Sequence, residues 1–241
     1  MYNYANILFT GEKCNSMCYE CIGNHPSLNA LPFNLKRFPI KNIDKLVDLV
    51  NKFSIPDLAF TGTNVDPQLY RYERKLISYL RENLNSETKL SLHTNGLLAL
   101  KKGTFNLYDK SSVSFPSFNA DTYKKITKVE MPNIKHIIQT STIPIKLSML
   151  ITPFNKEEIE DYTKKSAELG IKRIVIRKLK GKEDEFPIES YPFFKKPKKF
   201  IFGWPVYDLN EVEVTICGFD KSNAKGLFLF SDGRLEEKLV Q

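Results

Sequence analysis

Short β-rich runs alternate with longer runs that carry apolar residues at helical spacing. This alternation constrains the fold more than any other feature of the chain. Asn6–Thr10 (NILFT), Asp57–Thr61 (DLAFT), Lys89–Thr94 (KLSLHT), Ser112–Ser117 (SVSFPS), Lys146–Thr152 (KLSMLIT) and Lys172–Leu179 (KRIVIRKL) read as six strands. Pro116 belongs at the end of the fourth, since proline cannot donate to a ladder. Asn42–Phe53, Tyr70–Asn83 and Lys156–Leu169 read as helices, and Asn119–Thr127 as a short helix with an asparagine cap. Asn155 is the expected N-cap of Lys156–Leu169, with Gly170 just past its end. Strands separated by helices indicate a parallel sheet with βα crossovers. Six such units suit a doubly wound sheet or an incomplete (βα) barrel. Both place an active site at the C-terminal ends of the strands.

The pattern stops near Gly181. Lys182–Pro205 is rich in lysine, proline and aromatics (FFKKPKKF at its centre) and reads as a loop-rich connector. Beyond it, Glu211–Ile216 (EVEVTI) alternates, and Gly226–Phe230 (GLFLF) runs into a Ser231-Asp232-Gly233 turn. These segments read as a small β appendage. A core over 1–181 and a connector with appendage over 182–241 is the expected division. The 241 residues suffice for one sizeable core with such an addition. No apolar run is long enough to cross a membrane, and the first residues lack the pattern of a signal peptide. A cytoplasmic protein with no membrane partner is expected. The formal charge of +8 attracts polyanions without identifying one, and a solvated lysine-rich surface is its plainest meaning.

Three of the four cysteines, Cys14, Cys18 and Cys21, follow the first strand in the text GEKCNSMCYECIGN. Clustered cysteines without a secretion signal point to metal or redox chemistry rather than to disulfides. Three thiolates on one loop can hold three irons of a cubane and leave the fourth iron open. Zinc would need a fourth ligand from His25, His93 or Cys217, and the Cys-x3-Cys-x2-Cys spacing differs from that of a zinc knuckle.

This spacing after strand one resembles the signature of the radical SAM superfamily, and the resemblance covers roughly residues 5–180. It implies an α/β fold, a partial (βα)6 TIM-like barrel with the small C-terminal β appendage, and a [4Fe–4S] cluster on Cys14, Cys18 and Cys21. S-adenosylmethionine (SAM) is the implied second cofactor. The aromatic that the family places before its last cysteine stands one position earlier, at Tyr19, with Glu20 in its place. Thr61, Gly62, Thr63 and Asn64 occupy the place of a glycine-rich segment that offers backbone groups to the SAM amine. Thr94 and Asn95 match a recurrent Thr-Asn-Gly after strand three. Ser114, Ser148 and Arg177 fall where the family places side chains toward the SAM ribose or carboxylate, and FNADTYKKI resembles the start of the helix after strand four.

The resemblance further implies an external one-electron donor such as a flavodoxin or ferredoxin, and reductive cleavage of SAM to a 5′-deoxyadenosyl radical. That radical would take hydrogen from a peptide or small-molecule substrate. Cys217 alone cannot ligate an auxiliary cluster. It reads as a buried small hydrophobe or as a thiol returning a hydrogen atom to a substrate radical. Two other functions fit parts of the chain. A tRNA substrate would use Lys195, Lys196, Lys198 and Lys199 with Phe193, Phe194 and Phe200, although nucleic acid is not the favoured partner. A zinc-stabilised binding module would have no catalytic activity.

Overall fold

The computed structural model describes residues 2–179, 181–218 and 222–239. In chain order the elements are β1 (Tyr4–Phe9), α1 (Pro26–Asn29), α2 (Ile43–Lys52), β2 (Asp57–Gly62), α3 (Glu73–Asn83), β3 (Lys89–Thr94), β4 (Lys110–Ser114), α4 (Ala120–Thr127), α5 (Ile134–Thr140), β5 (Ile145–Leu150), α6 (Ile159–Glu168), β6 (Arg173–Arg177), β7 (Lys199–Ile201), β8 (Trp204–Leu209), β9 (Val212–Cys217), β10 (Gly226–Leu229) and β11 (Leu235–Glu236).

They fall into two compact units, residues 1–111, 141–144 and 225–241 in the first and 112–140 and 145–224 in the second. The first contains the strand order β11-β10-β1-β2-β3. All its pairings are parallel except that of β11. The second contains β5-β6-β9-β8-β7, with β5, β6 and β9 parallel and the last two strands antiparallel. The unit boundary cuts β4 between Ser111 and Ser112.

The strands form where apolar residues run nearly unbroken, as both faces of a covered parallel sheet require. Ala5 to Phe9 are all buried. Helix α2 buries Ile43, Leu46, Val47 and Val50, a single stripe at helical spacing. In the first unit Leu8 packs with Leu28, Leu31, Phe228 and Phe230, and Tyr4, Ile22 and Leu239 lie against them. A buried ion pair fixes the chain after β3. Glu73, 1 % exposed, accepts from Lys102 Nζ at 2.8 Å, Thr104 Oγ1 at 2.8 Å and Tyr108 Oη at 2.9 Å. Burial beside this carboxylate pushes the Tyr108 phenol well above its ordinary range.

Four sequence expectations need correction. The segments expected as a separate appendage are strands of the two units: β9 extends β6 in parallel, and β10 extends β1 in parallel. The boundary expected at 181 therefore does not separate compact units. Part of the expected connector is ordered as the antiparallel hairpin β7–β8. β4 begins at Lys110 and ends before Pro116. Asn155 does not cap α6. Its Oδ1 instead accepts from Thr152 N at 2.8 Å, and its Nδ2 donates to Pro116 O at 2.8 Å and Leu150 O at 2.9 Å. Gly170 does end the helix, at φ +79°.

Candidate functional site

The chain leaving β1 is fixed on both sides before it reaches the first cysteine. Thr10 N donates to Asn34 Oδ1 at 2.9 Å, and Asn34 Nδ2 donates to Leu8 O at 2.9 Å. Across from it, Asn64 acts as a peptide unit would: its Oδ1 accepts from Gly11 N at 3.1 Å and its Nδ2 donates to Gly11 O at 2.8 Å. Thr63 Oγ1 donates to Phe9 O at 3.0 Å. Two glycines let this backbone close up. A Cβ on Gly62 would sit 1.5 Å from Val65 O, and one on Gly23 2.5 Å from Thr63 O. The loop carrying the cysteines is thus clamped by backbone at its start and just past its end.

Cys14, Cys18 and Cys21 are half-buried free thiols. Burial pushes the Cys14 thiol up to about 11, while backbone amides of Ser16 and Asp66 work against that rise. Cys18 is also raised by burial, and a hydrogen bond with Ser16 opposes it, the Ser16 Oγ lying 3.2 Å from its sulfur. Cys14 senses Cys18, and Cys18 senses Cys21, as neighbouring charges. Glu20 takes a left-handed φ of +50° and turns the loop before Cys21. Among the described residues, no group of three or more His, Cys, Asp or Glu side chains is gathered to hold a metal ion. The donor chemistry fits an iron–sulfur cluster: three soft thiols on one loop, partly shielded from water, with amides directed at sulfur.

Sequence reasoning missed the residue that organises the loops beside Cys14. Asp66 is 4 % exposed and accepts from Gln68 N at 2.8 Å, Thr94 Oγ1 at 2.8 Å and Asn95 N at 2.6 Å. Burial raises its pKa, and these hydrogen bonds pull the other way. The available signal was an Asp-Pro pair just past strand two, a helix-start pattern. Asp66 joins the turn after β2 to the turn after β3, which brings Asn95 to the cysteine loop. Asn95 Nδ2 donates to Asn15 Oδ1 at 2.7 Å and lies 4.0 Å from Cys14 Sγ.

The residues expected to hold SAM divide by unit. In the first, the side chains of Thr63 and Asn64 are engaged as above. Thr61 Oγ1 donates to Asn6 Oδ1 at 2.8 Å and lies 3.1 Å from His93 Nδ1. The backbone of this segment is engaged in turn: Thr61 and Gly62 lie in the β2 ladder, and Thr63 N donates to Phe9 O at 2.8 Å. Thr94 is engaged by Asp66, and Asn95 faces the cysteine loop. In the second unit, Arg177 Nε donates to Ser148 Oγ at 3.1 Å. Phe115 N donates to Ser148 O at 2.9 Å, which sets Ser114, exposed at the end of β4, next in chain to that bond. Cys217 is paired in register with Arg177 and is 4 % exposed. Burial raises its thiol pKa, with Arg177 and Lys146 opposing.

The basic–aromatic segment is less open than its sequence suggests. Phe194 is 4 % exposed and packs on Phe193 and Tyr207, with ring centroids 4.9 and 4.8 Å apart. Lys198 pairs with Asp208 at 2.8 Å and Lys199 with Glu213 at 2.6 Å. Phe200 does stand out, 65 % exposed.

No protein-family model matches the chain. A probable GTP 3′,8-cyclase from Saccharolobus solfataricus is 30 % identical over 173 residues, covering 68 % of this chain and 53 % of that protein. The chain spans about half the length, or less, of its GTP 3′,8-cyclase relatives. The crystal structure of Streptococcus suis SuiB bound to the precursor peptide SuiA superposes with a TM-score of 0.68 at 13 % identity, covering 99 % of this chain and 60 % of that one. Native anSMEcpe with bound AdoMet gives 0.63 at 13 %, covering 98 % and 74 %. The named relatives and both solved structures are radical SAM proteins.

The chain belongs to the radical SAM superfamily. Its α/β class, with a mostly parallel sheet like that of the family's partial barrels, is as the sequence predicts. In radical SAM terms the Cys-x3-Cys-x2-Cys loop leaves β1, and the Thr-Asn-Gly turn after β3 touches that loop through Asn15 and Cys14.

Proposed function

We propose that the protein is a radical SAM enzyme carrying one [4Fe–4S] cluster on Cys14, Cys18 and Cys21. The observation that carries this reading is the trio of thiols on one loop, clamped by the Asn64–Gly11 bonds and joined to the next two strand ends through Asp66. When bound, the cluster and SAM supply the electron and the 5′-deoxyadenosyl radical for hydrogen abstraction. The chain's own part is to hold and shield. Cys14 and Cys18 sit in water-poor surroundings, and the Thr61–Asn64 segment brings the end of β2 against the start of the cysteine loop. Arg177, fixed by Ser148, offers a cation to a carboxylate.

The substrate is a peptide or a small molecule. SuiB, crystallised with the peptide SuiA, supports the first, and the GTP 3′,8-cyclase name of the curated relatives supports the second. A flavodoxin or ferredoxin is the proposed electron donor. Among the described residues no helix is long and apolar enough to cross a membrane.

Anaerobic reconstitution tests the proposal. Iron and sulfide should each approach about four per chain, as one cubane requires, and the reduced protein with SAM should release 5′-deoxyadenosine. A colourless protein that binds one zinc tightly would overturn it. GTP, short peptides and tRNA added as separate probes would show which raises 5′-deoxyadenosine release. Binding to tRNA that weakens steeply with salt would favour the nucleic-acid substrate.

A further inference from the structure

One donor beside the cysteine loop has no acceptor: Asn15 Nδ2 is buried and meets no hydrogen-bond partner. The carbonyl of the same amide is engaged. Its Oδ1 accepts from Asn95 Nδ2 at 2.7 Å and from the Cys14 thiol at 3.4 Å. The Asn95 amide is oriented independently of Asn15. Its Oδ1 accepts from Leu97 N at 3.1 Å, so its Nδ2 faces away from Leu97. That places Nδ2 against Asn15, 4.0 Å from Cys14 Sγ. Its backbone is fixed as well, because Asn95 N donates to Asp66 Oδ2 at 2.6 Å. Two amides therefore crowd one sulfur, and Asn15 still holds N–H bonds without an acceptor at an atom buried from solvent; its oxygen faces Cys14 only while that sulfur carries a proton.

An iron-bound cysteine sulfur carries no proton and can only accept hydrogen bonds. We propose that the side-chain amides of Asn15 and Asn95 donate hydrogen bonds to the Cys14 end of the cluster and set its reduction potential, with Asp66 as the positioning residue behind Asn95. The inference rests on the proposed cluster. N–H groups aimed at cluster sulfur stabilise the reduced, more negative state over the oxidised one, so they raise the potential. Removing them should make the cluster harder to reduce.

The test uses the full chain, reconstituted anaerobically as wild type, Asn95→Asp and Asn15→Ala. Each is titrated with dithionite while EPR follows the reduced cluster, and ENDOR in D2O detects exchangeable deuterons close to it. Asn95→Asp keeps an acceptor for Leu97 N but replaces the donor with a carboxylate oxygen. Its midpoint should shift the furthest negative, Asn15→Ala should shift less in the same direction, and each should lose deuteron couplings that the wild type shows. An unchanged midpoint with unchanged couplings, at full iron content, overturns the proposal. If Asn95→Asp binds no iron, Asn15→Ala decides alone, since it leaves the bonds to Asp66 intact. A wild-type protein without iron overturns the cluster itself rather than the role of the amides.

Discussion

The residues expected to serve the cofactor are held differently in the two units. In the first, almost every polar group near the cysteine loop has a fixed partner: Asn34, Thr63 and Asn64 hold the strand exit, and Asp66 ties two turns together. In the second, Ser148 and Arg177 share one hydrogen bond, while Cys217 sits buried next to them in register. A group held by several partners before its ligand arrives costs less to order on binding than one held by a single bond.

Substitutions in the two units should therefore differ in size. The largest effect belongs to Cys18→Ala, which should abolish 5′-deoxyadenosine release and leave iron far below the wild-type content. Retention of both would break the ligand assignment. Gly62→Ala comes next. Its Cβ meets a carbonyl rather than a flexible side chain, so the strand end must move, at about 3 kcal/mol in urea unfolding. Asp66→Ala leaves buried donors of Gln68, Thr94 and Asn95 without their acceptor, an expected loss of about 2 kcal/mol by the same measurement. The smallest effect is expected in the second unit. Cys217→Ala should cost about 1 kcal/mol and leave SAM cleavage without substrate within about twofold of wild type. A tenfold loss there would show that the two units share the chemistry more closely than their hydrogen bonding suggests.

Much of the parallel framework was legible because buried strands and amphipathic helices write their periods directly into the chain. Val47 and Val50 announce the inner face of α2, and Asn119 announces α4 by accepting from Asp121 N and Thr122 N. What stayed hidden depends on partners distant in sequence. Nothing local in Gly226–Leu229 says that it pairs with Tyr4–Ile7. Nothing local in Asp66 says that its carboxylate reaches Asn95, and a strand pattern cannot show that Asn64 imitates a peptide group. Asn155 misled because asparagine is a good cap, whereas here its amide ties the chain after β4 to the chain after β5. The hairpin β7–β8 was masked by lysine and proline, which suit edge strands as well as loops.

The pairing of β10 with β1 has a consequence for biogenesis. Phe228 and Phe230 complete the apolar cluster of Leu8, Leu28 and Leu31, the last two just beyond the cysteines. On the ribosome, the cysteine loop emerges roughly two hundred residues before the strand that pairs with β1. A nascent chain halted before Gly226 leaves one edge of β1 unpaired while the cysteine loop is already made. Loading of the proposed cluster during synthesis would meet a half-built frame, so metal delivery is best timed to follow release of the finished polypeptide.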